Sequence, residues 1–179
     1  MMENFISFVW GFAEATLFFF VPDIGLSVIA LQGANNGLVA CVYAVAGAMV
    51  GGGIMYYWGS NHMEMVTQVL EKIPAIRPMD TQKVRHDLEK YGIKAMLWGP
   101  LLGIPYKIYA SYAHLVTSVL IFLLVSIPAR IVRFIIVVLV VPYVFNAYFP
   151  GTSHSWRVQV VLVLWAIVYV FYFFIKRKR

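Results

Sequence analysis

The sequence predicts an all-α integral membrane protein. Two opposed re-entrant helical hairpins and about three transmembrane helices are expected, in one membrane domain covering residues 1–179. Three observations carry that expectation. The chain is 61% hydrophobic and only 12% charged, with a mean hydropathy of +0.79, and a soluble domain of this size has no interior for so much apolar surface. Runs without any charge cover residues 24–63, 108–129, 134–156 and 158–175, where a spanning helix needs roughly 20 apolar residues. Two further apolar stretches are broken mid-way by Pro or Gly beside an ionisable residue. Irregular backbone at membrane depth is tolerated only where protein or a water-filled cavity surrounds it.

The first broken stretch is residues 5–33. Glu14 interrupts it, and Val21-Pro22-Asp23 follows. Each piece holds about 10 helical residues and rises roughly 15 Å, half of a ~30 Å hydrocarbon core. The expected shape is a re-entrant hairpin with its turn near residues 20–23 and Pro22 at the turn. The alternative is an ordinary kinked span with Glu14 near one surface, but a single span would leave two carboxylates badly placed. The cluster Asn35-Asn36-Gly37 reads as a turn. Residues 38–59 form the cleanest span. Gly47 and Gly51, followed by Gly52 and Gly53, give it a small-residue face for close helix contact. A phosphate-binding loop is the weaker reading, because no Gly-Lys-Ser/Thr follows.

Residues 60–91 are the only polar stretch of any length. Met63, Val66, Leu70 and Ile73 recur at helical spacing, as do Val84, Leu88 and Tyr91, with Pro74 and Pro78 between. Two short helices lying along the headgroups on the cytoplasmic side are expected. His62 and His86 have no ligand partner at i+4 and read as solvated residues, and no metal site or cofactor is expected.

The second broken stretch is residues 92–114. Gly99-Pro100 and Gly103-Ile104-Pro105 stop any helix there. Lys107 follows with apolar neighbours on both sides, and an ionisable residue at depth points to a functional site. Residues 115–148 then form a span containing Pro128, Arg130, Arg133 and Pro142. The two arginines share a helix face at i,i+3. A short turn leads to the last span, 157–175, and the basic stop at 176–179.

The cations fix the expected orientation. Of 14 lysines and arginines, six lie in 60–94 and four in the tail. Basic loops stay cytoplasmic, and three crossings between residues 38 and 175 place both groups on one side with the C-terminus cytoplasmic. The net charge of +6 therefore reflects orientation and anionic lipid, not nucleic acid. Cys41 stands alone inside an apolar run, so there is no disulfide framework. Met1-Met2-Glu3 has no basic n-region, so a cleaved signal peptide is not expected.

Three motifs occur in order: F-A-E-x-x-x-F with P-D in the first hairpin (Glu14, Pro22, Asp23), I-P-Y-K in the second (Pro105, Lys107), and A-R-x-x-R-F in the next span (Arg130, Arg133). Together, from about Phe12 to Phe134, they resemble the DedA superfamily, or VTT-domain (SNARE-associated-like) proteins, most of all the small YqaA-like branch. The resemblance implies opposed re-entrant hairpins in a bacterial cytoplasmic (inner) membrane. It also implies movement of lipids between leaflets, polyprenyl phosphates or phospholipids. Carried over by motif, Lys107, Arg130 and Arg133 would bind the substrate, and Glu14 and Asp23 would compensate charge or couple protons. Pro22, Gly103 and Pro105 would form the hairpin turns. Three departures stand out. The proline-rich first turn is reduced to Pro22, with Phe19 and Val21 where relatives often have proline. Gly103 replaces a usual proline, and Tyr112 and His114 replace small residues, a bulkier pair expected to narrow the cavity.

The physical problem fits these residues. A charged headgroup crosses hydrocarbon only at great cost, and broken helices at the midplane are a common transporter solution. Arginine favours bidentate phosphate contact. The expected partners are membrane lipids, above all phosphate-bearing ones, with protons and a second copy of the chain as further options. The rival reading is a structural salt-bridge cluster in a non-transporting assembly protein, which the Gly47/Gly51 face would serve. Enzymatic activity is not expected. No H-E-x-x-H, Gly-x-Ser-x-Gly or paired-aspartate site is present. Lys72-x4-Arg77-Pro78 and Gly151-Thr152-Ser153-His154 only superficially suggest a lipid phosphatase, and the predicted topology puts them on opposite faces.

Overall fold

The computed structural model describes residues 2–74 and 76–178. The tail is followed along its backbone to Lys178; Met1, Ala75 and Arg179 lie outside the described residues. All regular elements among these residues are helical. They are α1 (Met2–Ala15), α2 (Asp23–Ala30), α3 (Ala34–Asn61), α4 (Met63–Glu71), α5 (Pro78–Tyr91), α6 (Ala95–Trp98), α7 (Tyr106–Tyr112), α8 (Val119–Tyr148) and α9 (His154–Lys178), with three short 3-10 turns. α3, α8 and α9 are long and apolar enough to cross a membrane.

α3 is the post on which the rest is built, and glycine is the reason. A methyl added at Gly47 would run into the Phe8 carbonyl of α1, and one at Gly51 would crowd the Phe12 carbonyl and Ala15. On the α1 side, Gly11 lies against the Ala44 carbonyl in the same way. Backbone meets backbone here because no side chain intervenes. α1 presents Phe8, Gly11, Phe12 and Ala15 to this seam, and Ser7 and Glu14 are buried beside it. A second glycine pair serves a different partner: Gly52 faces the Tyr106 hydroxyl and Gly59 faces the Ser111 carbonyl, both on α7. At about 100° per residue, Gly47/Gly51 and Gly52/Gly59 form two stripes about a third of a turn apart.

This register places the two broken stretches. α1 runs parallel to α3 from its Ala34 end and stops beside Gly51. The chain breaks over Thr16–Pro22, and α2 returns. Gln32 donates to the Glu3 carboxylate at 2.9 Å, and Trp10 Nε1 donates to the Phe20 carbonyl at 3.1 Å, so both ends of this hairpin lie together. In the second stretch the chain comes in through α6, turns at Pro100–Pro105, and leaves along α7 towards the Asn61 end of α3. Gly103 sits at φ +83° in that turn, a conformation that side chains other than glycine's resist. The two turns therefore meet at the level of Gly51 and Gly52, just past the middle of α3.

Three sequence expectations change. Asn35-Asn36-Gly37 is the first turn of α3 instead of a loop. The chain reverses at Leu31–Gly33, and Gly37 is needed because Val138 and Ala30 close on it. α4 and α5 do not turn their apolar faces to headgroups. Val66, Leu70, Val84 and Leu88 are fully buried with Tyr109 and Tyr112 of α7, and Thr67 shares a 2.7 Å hydrogen bond with Tyr112. The Gly47/Gly51 face is covered by α1 and is not free for assembly with another protein.

α8 runs antiparallel to α3, with Val138 at Gly37 and Tyr56 bonding the Thr117 carbonyl at 2.7 Å. It stays helical through Pro128 and Pro142. After the turn at Phe149–Ser153, α9 returns alongside. The C-terminal end of α9 and the α4–α5 segment thus lie at one end of the molecule.

Candidate functional site

The site forms where the two turns meet and α8 passes them. Each ionisable side chain owes its position to one element. Glu14 sits on the buried side of α1, facing Arg130 of α8, and Asp23 opens α2 directly after Pro22. Lys107 is the second residue of α7, after Pro105. Arg130 and Arg133 lie one turn apart on α8. Glu14, Asp23, Lys107 and Arg130 are all at least 95% buried, and Arg133 is half-buried.

The pairing is specific. Arg130 Nη2 donates to Glu14 at 2.6 Å, and Arg133 Nη2 donates to Asp23 at 2.8 Å. α8 therefore clamps both arms of the first hairpin, one arginine to each. The Arg130 guanidinium also lies over the Tyr106 ring, 3.9 Å from its centre, a cation–π contact to the second hairpin. Tyr106 is held in turn by its hydroxyl, which donates to Ser126 at 3.0 Å. Lys107 pairs with neither carboxylate. Its ammonium donates to the Phe18 carbonyl at 2.5 Å, inside the turn of the first hairpin, where the chain has left the helical ladder. Counted as ionised, the cluster holds three cations against two anions. Among the described residues, Arg130 Nε and Nη1 and Arg133 Nε have no hydrogen-bond partner, although buried donors are normally satisfied.

A cavity of about 180 Å³ opens beside the cluster, well above the roughly 10–15 Å³ that admits one water. Glu14, Lys107 and Arg133 supply its charged wall. The rest is apolar or aromatic: Val21 and Phe19 from one turn, Gly103, Ile104 and Pro105 from the other, and Trp165, Val168, Tyr169 and Tyr172 from α9. Arg130 does not line it and sits behind the wall, between Glu14 and Tyr106. The structure thus brings together all five residues expected at the site but divides them. Lys107 and Arg133 face the cavity, and Arg130 ties the elements.

Pro22, Gly103 and Pro105 all fall in or beside the turns. Tyr112 and His114 do not narrow the cavity, because Tyr112 turns to Thr67 of α4 and His114 to the Ser111 carbonyl. The two fragments that suggested a lipid phosphatase lie at opposite ends of the molecule. Arg77 is tied to Asp80 at 3.3 Å. The described residues hold no group of His, Cys, Asp and Glu able to hold a metal ion.

Sequence reasoning missed the aromatic wall. Trp165, Tyr169 and Tyr172 recur at i, i+4 and i+7 of the last span, and rings with polar tips deep in a span were the available signal. Tyr169 accepts a hydrogen bond from the Val21 N–H at 2.8 Å, and Trp165 Nε1 donates to Ser27 at 3.2 Å. Compared with known proteins, the chain matches no family model, no curated protein and no solved structure.

Proposed function

We propose that the chain is a membrane lipid transporter of the DedA (VTT) type, moving a phosphate-bearing lipid between leaflets through the charged cavity. In this reading both hairpins are re-entrant, entering from opposite faces of a bacterial cytoplasmic membrane, and the basic α4–α5 segment and the C-terminus are cytoplasmic. Lys107 and Arg133 receive the phosphate, and Glu14 and Asp23 compensate the cations when no lipid is bound or carry a proton. The observation that carries the reading is Lys107. It is a buried ammonium on the cavity wall whose hydrogen-bond partner is a backbone carbonyl, so an arriving phosphate has a cation to meet without first breaking an ion pair. The order of the F-A-E, I-P-Y-K and A-R-x-x-R-F motifs supports the family.

The test is reconstitution in liposomes with a panel of labelled lipids, with and without a pH gradient. Leaflet exchange without covalent change is expected for polyprenyl phosphate or an anionic phospholipid. Lys107→Ala should fold and slow exchange roughly tenfold or more, the effect of losing one charge-assisted hydrogen bond. Unchanged exchange in a well-folded Lys107→Ala protein would remove the phosphate site. Release of free phosphate would instead indicate an enzyme.

One observation favours a second reading. Both arginines already bond carboxylates at 2.6 and 2.8 Å, which suits a cluster that only fastens the hairpins to α8. Under that reading the Arg133→Gln/Asp23→Asn protein should be as active as wild type; under transport it should not.

A further inference from the structure

α9 differs from every other long element in how it is held. Its inward residues form one narrow stripe, Val158, Val161, Trp165, Tyr169 and Tyr172, and of its described side chains only Val161 is buried. Open space lies on both flanks, overlapping at Trp165 and Val168. On one side is the charged cavity. On the other, an apolar crevice of about 200 Å³ separates α9 from Val140, Val144 and Phe145 of α8. A helix between two spaces can tilt without losing much packing.

Two groups of attachments are well defined, and Tyr172 adds an electrostatic contact to Asp80 and Arg77 of the α4–α5 segment. At the N-terminal end, Arg157 donates to Asn146 at 2.8 Å, to Thr152 at 3.0 Å and to the Phe149 carbonyl at 3.2 Å. Trp156 packs on Phe145 and Phe149. The adjoining turn contains Gly151 at φ +80°. At cavity level the contacts reach the first hairpin. Tyr169 takes the Val21 N–H and Trp165 reaches Ser27, while Phe19 and Phe20 meet the rings of Tyr169 and Phe173 at 5.1–6.3 Å.

We infer that α9 is the movable wall of the cavity: it pivots at the Arg157 end, and the Trp165/Tyr169 contacts are the latch. Opening frees the Val21 N–H and Ser27 and joins the cavity to the surrounding hydrocarbon, so an amphiphile enters sideways, head first towards Lys107 and Arg133. The movement stands apart from the transport reading; only its purpose, admission of a phosphate-bearing lipid, rests on it.

The test uses the full chain in nanodiscs, in a Cys41→Ala background, and requires no lipid movement. Ile104→Cys reports cavity access by its reaction rate with an apolar maleimide. Spin labels at Val42→Cys on α3 and Val170→Cys on α9, both outward-facing, report the position of α9. Tyr169→Phe keeps the ring and removes the hydrogen bond. It should raise the Ile104→Cys labelling rate by about two- to tenfold, the factor one such bond allows, and add a longer-distance population to the spin-label pair. Phe19→Leu, which loosens the ring contacts but also trims a cavity-lining side chain, should lengthen the spin-label distances by less. Labelling rates and distances that match the unmodified protein in both variants would overturn the movable wall. A protein whose α9 opens but that exchanges no lipid would keep the wall and discard transport.

Discussion

Arg130 and Lys107 are both buried cations, but their neighbours differ, so their loss should differ. Removing Arg130 strands Glu14 without its 2.6 Å partner in the interior. Breaking a buried pair in this way costs about 3–5 kcal/mol. Removing Lys107 leaves Glu14 its 2.6 Å arginine partner, takes away a more distant cation, and strands the Phe18 carbonyl, an unsatisfied neutral acceptor worth about 1–3 kcal/mol. Thermal unfolding of the purified proteins in detergent should therefore rank Arg130→Ala well below Lys107→Ala. Arg130→Met with Glu14→Gln should recover most of the loss. Equal destabilisation by the two single changes would contradict this assignment of partners. The charged residues themselves were legible in the sequence, because a carboxylate, an arginine or a lysine inside an apolar run is costly to bury and stands out for that reason. Their pairing was not. Nothing local says that Lys107 would take a carbonyl 89 residues away, or that Arg130 would lie on Tyr106 behind the cavity wall.

The elements were legible wherever composition alone decides them, and less so wherever contact decides. The long apolar runs became α3, α8 and α9, and Pro22, Gly103 and Pro105 broke the chain as their chemistry requires. The glycines of α3 were readable as a packing face, but not as two faces with two occupants. That distinction gives a prediction. Gly47→Ala sets a methyl against the Phe8 carbonyl, backbone that moves only with α1, and should destabilise by about 1–3 kcal/mol. Gly53, on the outer side of the same helix, has nothing within 4 Å of an added methyl. Gly53→Ala should be neutral or should stabilise by up to about 1 kcal/mol through helix propensity. Circular dichroism melts of the two proteins would show the contrast. α9 was the least legible element, since its sequence is that of an ordinary span and only the contacts of Trp165 and Tyr169 distinguish it.

At the scale of the molecule, Ser60 at one end of α3 and Thr152 in the α8–α9 turn lie at opposite ends. Cysteines at these positions in a Cys41→Ala background should label from opposite faces of sealed vesicles. Labelling of both from one side would overturn the three-crossing topology. The whole arrangement also depends on ion pairs between distant parts of the chain: Glu14 and Arg130 are 116 residues apart, and Asp23 and Arg133 are 110. That separation sets a schedule for biogenesis. At synthesis rates of about 5–20 residues per second, the first hairpin waits on the order of ten seconds before its arginines exist. During that interval two carboxylates have no counter-ion, and hydrocarbon is closed to them. The segment made first should therefore settle no earlier than α8. Until α8 arrives it should remain in water or in the insertion machinery, and anything that binds the nascent protein transiently should find Glu14 and Asp23 exposed.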